Sequence, residues 1–452
     1  MAQRKYKPKS LRVCHPEAAG IDIGSNEHWV AVSPESDEQP VRKFGTFTCH
    51  LEQLADWLQQ CGVRTVAMES TGVYWIPLYE LLEERGFEVL LVNAAHARNV
   101  PGRKSDVLDC QWLQELHTHG LLRASFRPEA KIAELRAYTR HRQALIEESA
   151  RQIQRMQKAL DQMNVQIHHV LSDLTGKTGM AIVREIVAGN HEPERLAQHR
   201  DPHCRATKEV IVEALRGHYK AEHLFSLKQA LSLHDVYSQH IKECDERIDE
   251  VLGTLAAQFP DPGKSPLHAK SRPTGKQIAI DIRNPLQRIL SGVDVQSIVG
   301  IGPLTALNLL SETGYNMSRW PSEKHFTSWL NFAPGTHISG GRRLSSRRRF
   351  SRNRAGLILR QAASSIGRTQ TALGAFYRRI AARRGKPVAV VATARKLACA
   401  YYRLLRDGGE YVERGAIAAE VHFQRRRIEN LKRQAKTLGY ELQAILPENR
   451  VT

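Results

Sequence analysis

The chain has 452 residues, 66 Lys+Arg against 47 Asp+Glu, a formal net charge of +19 and 41% hydrophobic content, which fits about two to four domains with genuine cores. No stretch approaches the ~18 apolar residues of a membrane span, and the basic start "MAQRKYKPKSLRVC" has no apolar run behind it, so neither a membrane protein nor a secretory signal is expected. Seven scattered cysteines, Cys14, Cys49, Cys61, Cys110, Cys204, Cys244 and Cys399, never form a C-x-x-C pair, which argues against a disulfide frame or zinc knuckle and for a reducing cytoplasm.

Along the chain, "AAGIDIGS", "HWVAVS", "VRKFGTF", "RTVAMES" and "FEVLLVNA" are short, apolar or alternating, and bounded by turn residues, so they predict strands. "HLEQLADWLQQCG", "WIPLYELLEERG" and a segment opening at "KSDVLDCQW" predict helices. Three strands, then helix, strand, helix, strand and a closing helix, imply a mixed sheet with helices on both faces. From Ile153, apolar residues step by three and four through Met156, Leu160, Met163, Ile167 and Val170, a coiled-coil or helical-hairpin seam. A second seam runs through Tyr237, Ile241, Cys244, Ile248, Val251 and Leu255, and the two helices pair most economically antiparallel. Residues 175–233 are helical in composition but carry no pattern that assigns them a role. Prolines 260, 262, 266 and 273 with nearby glycines and lysines predict a linker.

Beyond it, "VQSIVGIGPLTALNLLSETG" reads as helix, glycine turn, helix, and "LILRQAASSIG" as another helix. The turn is like a helix-hairpin-helix, whose backbone N–H groups hold phosphate, although a packing hairpin gives the same pattern. Ile428, Leu431, Ala435, Leu438 and Leu442 step by three and four on a last helix bearing Arg425 to Arg427, a face that packs or oligomerises. The expected boundaries are 15–128 for the sheet domain, 129–259 for the helical coiled coil, 260–285 for the linker, 286–408 for a helical C-terminal domain and 409–452 for the basic end helix. The fold class is thus α/β plus all-α.

Charge is segregated along the chain. Residues 1–130 hold 14 Lys+Arg and 17 Asp+Glu, whereas residues 324–406 hold 19 Lys+Arg and no carboxylate at all. A merely solvated basic face would contain balancing acids, so this stretch points to a phosphate backbone, with affinity that falls steeply as salt rises.

Four acids stand against that background. Asp22 is expected mid-strand in "GIDIG", opposite in direction to Ile21 and Ile23. Glu69 ends the strand "VAMES", and Asp106 and Asp109 lie three apart on a helix, where like charges repel by a few tenths of a kcal/mol. A buried carboxylate is costly unless paired or metal-bound. If the two strands are neighbours and the helix crosses their ends, the four oxygen donors converge and suit Mg²⁺ or Mn²⁺, and a metal pair can stabilise the attacking and leaving oxygens of a phosphodiester. Taken singly, Asp106 is equally a helix cap and Asp22 a turn residue.

"GIDIGSNEHWVAV", "AMESTGVYWIPLYELL" and "RKSDVLDCQWL" resemble the RuvC-like, RNase H-like domain of the DEDD transposases of the insertion-sequence one-ten family, relatives of the Piv DNA invertases. The family's acids fall on Asp22, Glu69, Asp106 and Asp109, and "E-S-T-G-x-Y" at Glu69 to Tyr74 is the most distinctive match. "IVGIGPLTALNLLSETG", "FTSWLNFAPGTHISGGRR" and "RAGLILRQAA" resemble its C-terminal transposase domain, in which a serine in an S-G context is the nucleophile. That serine maps onto Ser339, with Ser345, Ser346 and Ser351 as neighbours of the same type; by turn chemistry alone, Ser339 is an ordinary glycine-turn serine. A hydroxyl needs a base, a metal or cations to become a nucleophile, and Arg342, Arg343, Arg347, Arg348, Arg349, Arg352 and Arg354 are placed in sequence to meet nucleic-acid phosphates.

The resemblance implies a recombinase that excises and inserts its own element through a phosphoserine link to double-stranded DNA. It further implies guidance by a noncoding bridge RNA, a homodimer that assembles to a tetramer, and action in the bacterial cytoplasm at the nucleoid. The residues alone leave two alternatives. One is a RuvC-type nuclease in which water attacks; the other is a noncatalytic nucleic-acid-binding protein.

Overall fold

The computed structural model describes residues 12–70, 72–93, 106–261, 263, 278, 280–333, 335–345, 353–408, 411 and 415–443. The chain divides into two compact units, Met1–Arg127 and Pro128–Thr452.

In the first unit five strands, β1 (Ala18–Ile23), β2 (Glu27–Ala31), β3 (Val41–Gly45), β4 (Thr65–Glu69) and β5 (Glu88–Val92), form one sheet of order β3-β2-β1-β4-β5. The three at the β3 side are antiparallel, and β1, β4 and β5 run parallel. Alternation explains the layering. Ala19, Ile21 and Ile23 of β1 and Val66 and Met68 of β4 point into a core with Leu51, Leu54 and Leu58 of α1 (Thr48–Gln60) and Leu78 and Leu82 of α2 (Trp75–Glu84). The other face, which carries Gly20 and Asp22, is covered by α3 (Asp106–Thr118). The mixed sheet with helices on both faces, expected from the strand and helix order, is what the chain builds.

The second unit is helical. α4 (Ala130–Gln162) packs along α9 (Ala221–Ala257), with four short helices between them in sequence: α5 (Ile167–Val170), α6 (Lys177–Val187), α7 (Pro193–Leu196) and α8 (Lys208–Leu215). The 3,4 stepping seen from Ile153 to Val170 does not mark one continuous helix. α4 stops at Gln162, where Asn164 takes a left-handed φ of 57°. The N–H groups of Val165 and Asn164 then return to the carbonyls of Leu160 and Asp161, both at 2.9 Å, a Schellman stop that asparagine can supply. The apolar steps on both sides of this stop feed a separate core at the tip of the helical pair, where Met156, Leu160, Met163 and Ile167 meet Ile182, Val183, Ile186, Leu196, Ile211, Leu215 and Leu227. Residues 175–233 thus close the end of the long pair.

Upstream, the buried seam of α4 starts at Ile132 and passes through Leu135, Thr139 and Arg142. Arg142 and Asp245 of α9 form a salt bridge with each side chain 7% exposed. Leaving one such charge buried without the other costs about 3–5 kcal/mol, whereas an apolar pair of similar volume is often neutral or better. Arg142→Met is therefore expected to destabilise the full chain by about 3–5 kcal/mol in urea unfolding, and Arg142→Met/Asp245→Leu to recover most of that loss.

The rest of this unit comprises α10 (Arg283–Ile289), α11 (Pro303–Thr313), α12 (Glu323–Trp329), a hairpin of β6 (His337–Ser339) and β7 (Arg342–Ser345), α13 (Arg354–Ile366), α14 (Ala372–Arg384), α15 (Lys386–Asp407) and α16 (Ala416–Thr437). Leu307, Leu310, Phe326, Leu359, Ala363, Leu397 and Tyr401 are among the buried side chains of these helices. α4 holds α11 by its C-terminal end. Arg136 donates to the Ser311 and Glu312 carbonyls at 2.9 and 3.0 Å, and Arg140 forks onto the Glu312 carboxylate at 2.8 and 2.7 Å. Cations at the negative end of a helix dipole are favourably placed.

The glycine turn before α11 differs from the helix, glycine turn, helix expected, because the segment at Val295 is not a full helix. Only a single 3₁₀ turn, Val295–Ser297, precedes it. Gly300, at φ 87°, lies so close to Ile366 of α13 that an added Cβ would sit 2.9 Å from its Cδ1. This end of the turn is packed against α13, which is why its glycine is needed. α16 leaves Ile417, Val421, Ile428, Leu431 and Leu438 exposed, and Arg379 of α14 lies 3.7 Å over the Phe423 ring. Among the described residues no helix is long and apolar enough to cross a membrane, and all seven cysteines are free thiols.

Candidate active site

Strand register brings the first two acids together. β1 and β4 run parallel with Ile21 beside Met68, so one residue further along each strand Asp22 lies beside Glu69. Both are half-buried, at the C-terminal ends of their strands, where ligands of open α/β sheets bind. Asp22 is thus the penultimate residue of β1, close to the strand end and not in its middle.

α3 crosses this face antiparallel to the two strands. Its C-terminal part lies over the strand starts, with Thr65 Oγ1 and His117 Nε2 2.8 Å apart and Gln114 Nε2 donating to the Ala18 carbonyl at 3.5 Å. Its middle rests on Gly20, where any Cβ would collide with the Cys110 carbonyl and the Gln114 backbone. Its first turn therefore lies toward the strand ends, and Asp109 comes with it. The Cys110 thiol reports the neighbourhood. Burial pushes it up to about 12, and the Asp22 and Asp109 carboxylates both add to that rise. Cys110 donates its S–H to the Val107 carbonyl at 3.1 Å, as an inert buried thiol does.

Asp22, Glu69 and Asp109 thus share one end of the sheet. The backbone of Asp106 begins α3 at the same end, while its side chain lies outside the described residues. Among the described residues, no three His, Cys, Asp or Glu side chains stand close enough together to hold a metal ion. Carboxylate oxygens are nonetheless the donor type that Mg²⁺ and Mn²⁺ take, so the chemistry of the set fits such an ion although the described members do not by themselves close a cage.

His117, which the motifs did not single out, anchors the helix. It is 3% exposed, bonded to Thr65 and stacked on His15 at 4.9 Å between ring centroids. Burial, and secondarily His15, push its pKa from 6.5 down to about 4. The folded chain holds this ring neutral, whereas the unfolded chain protonates it below about pH 6.5. Its contribution is therefore fully present above pH 6.5 and is lost as pH falls toward 4, a span worth roughly 3 kcal/mol. Denaturant unfolding across that window is expected to show a smaller pH slope for His117→Asn than for wild type.

In the second unit, Ser339 is the last residue of β6 and is exposed. Gly340 and Gly341 follow with φ of 54° and 76°, the two left-handed positions of a type I′ hairpin turn, and Ser339 pairs with Arg342 across it. Arg342 and Arg343 are exposed on β7, and Arg354 is exposed at the first position of α13. Ser345 ends β7 half-buried. Ser346, Ser351, Arg347, Arg348, Arg349 and Arg352 lie outside the described residues.

The model for DEDD transposases of the IS110 type matches residues 19–165, the sheet unit with the start of the helical pair. The model for transposases of the IS116/IS110/IS902 family matches residues 294–378, which include the hairpin with Ser339. No curated protein matches the chain. With the RuvC-like sheet unit in one matched segment and the hairpin in the other, the chain belongs to the IS110-type DEDD transposases.

Proposed function

We propose that this transposase breaks and joins DNA by attack of the Ser339 hydroxyl on a phosphodiester positioned by Asp22, Glu69, Asp106 and Asp109. The observation that carries the reading is the register of β1 and β4, which sets Asp22 beside Glu69 at the strand ends while α3 brings Asp109 to them. The four carboxylates would hold Mg²⁺ or Mn²⁺, which when bound neutralises charge on the phosphate. Ser339 is exposed and is followed by two glycines, which add no side chain at the hairpin tip. Arg342 and Arg343, with Arg347, Arg348, Arg349, Arg352 and Arg354, would offset the charge that builds on the phosphate oxygens. Attack forms a serine–phosphate ester and releases a DNA hydroxyl; the reverse attack by another strand's hydroxyl rejoins DNA and frees the serine. The bond energy is kept without a nucleotide cofactor.

In this reading the domains are 15–128 for the carboxylates, 129–259 for the helical pair, 260–285 for the linker, 286–408 for the serine and 409–452 for the end helix. A bridge RNA pairs with element and target DNA and so supplies sequence choice, while the protein reads backbone and shape. A homodimer assembling to a tetramer joins carboxylate and serine units, in the cytoplasm on nucleoid DNA. The seven free thiols and the 19-cation, acid-free stretch support this setting.

The test is a serine scan with the full chain, Mg²⁺ and DNA of the element ends. Ser339→Ala is expected to abolish covalent protein–DNA adducts, and Ser345→Ala, Ser346→Ala and Ser351→Ala to retain them. Cleavage that persists in Ser339→Ala without adducts would replace this reading with hydrolysis by water.

A further inference from the structure

The β6–β7 ribbon carries two apolar side chains that are largely exposed. Its tip, Gly340–Gly341, is bare backbone. Directly opposed residues of an antiparallel pair share a face and successive residues alternate. Ser339 and Arg342 are one opposed pair, so they share a face, and Ile338 and Arg343, the next pair, share the other. Ile338 is 66% exposed. Leu344 is the extra residue where the register shifts, and it is 70% exposed. Bulges of this kind re-aim side chains, often beside active sites.

The surroundings select the partner. Both apolar side chains lie next to Arg342 and Arg343 in a stretch of 19 cations and no carboxylate. An apolar protein surface would have to bury those charges, whereas a DNA duplex offers phosphates to the arginines and stacked base faces to the isoleucine. A two-stranded ribbon is also of a size that DNA grooves admit.

We propose that Ile338 is a wedge that enters between two base pairs at the step where Ser339 acts, unstacking that step and kinking the duplex. The proposal rests on the serine reading above. Exposed apolar side chains on architectural DNA-binding proteins act in this way from the minor groove. With Ile338 and Ser339 adjacent on opposite faces, insertion of the one fixes the depth and angle at which the other meets the phosphate. Ile338 is a positioning residue and touches no reacting atom.

The experiment uses the full-length protein with the RNA that co-purifies with it and duplexes of the DNA flanking its own gene. 2-Aminopurine, which brightens when unstacked, is placed at successive positions. In a Ser339→Ala background, where no serine adduct forms, fluorescence is expected to rise at one step. Adding Ile338→Ala is expected to remove the rise, while Ile338→Met keeps it and binding anisotropy and its salt slope stay unchanged. With Ser339 intact, Ile338→Ala is expected to slow adduct formation at saturating DNA. An equal rise with Ile338→Ala, or no rise in any variant, overturns the wedge. If wild type forms adducts in that case, the serine reading stands alone. If the rise depends on Ile338 but wild type forms no adduct, the wedge stands and the serine reading falls.

Discussion

Asp22→Asn is expected to lower Mg²⁺-dependent strand cleavage by about 10³-fold or more, because a bound cation at a phosphate supplies several kcal/mol and each 1.36 kcal/mol is tenfold in rate. An amide keeps the size of the carboxylate and one acceptor oxygen but has no charge to hold the ion. Glu69→Gln is expected to behave alike, since register sets it beside Asp22. The fold should survive. Asp22 lies at a strand end, half-buried, and the Cys110 thiol beside it is released from a negative neighbour by the change. Cleavage of element-end DNA, measured with unfolding curves for the same preparations, separates lost chemistry from lost structure. A loss of less than about tenfold in Asp22→Asn would remove it from the reacting phosphate.

Gly20→Ala is the smallest change expected to dismantle the site. Gly20 needs no special backbone angle; what it lacks is room. α3 lies directly on β1 there, and an added methyl would strike the Cys110 carbonyl and the Gln114 backbone, not a side chain that could swing away. Overpacking of this kind costs about 1–3 kcal/mol where neighbours can shift, and a helix backbone anchored through Gln114, His117 and Thr118 shifts only as a body. α3 must then lift, carrying Asp109 away from Asp22 and Glu69. Unfolding curves are expected to show a loss at the upper end of that range or beyond, and cleavage should fall with it. An unchanged unfolding midpoint would mean that the helix does not seat where the geometry puts it.

Much of this was legible in the chain because local rules and tertiary demands agree. The strands of the sheet unit alternate or are bounded by turn residues, and their order with the helices specifies the mixed sheet. The acids could be named but not their proximity, because the adjacency of Asp22 and Glu69 is a register between strands about forty residues apart. Gly20 carried a faint signal, a glycine within a strand pattern, which marks close backbone approach. The helical pair misled in a specific way. On α4 the buried positions Thr139, Arg142, Ser149 and Gln152 are polar and interrupt its apolar period, whereas α9 keeps the apolar seam through Cys244, Ile248, Val251 and Leu255. The first period stays visible from Ile153 onward, on both sides of the Asn164 stop, where the residues belong to a different core. "SGGR" carries a glycine turn, but the two short strands on either side of it and the exposure of Ile338 appear only in the structure.

The most direct test is to incubate wild-type protein with element-end DNA and Mg²⁺, quench in denaturant, digest with protease and nuclease, and sequence the peptide that retains nucleotide. The expected product is a single phosphodiester-linked peptide with the modification on Ser339, absent when Mg²⁺ is chelated. Nicked DNA accumulating with no nucleotide on any peptide, or with the nucleotide on a different residue, would contradict the account.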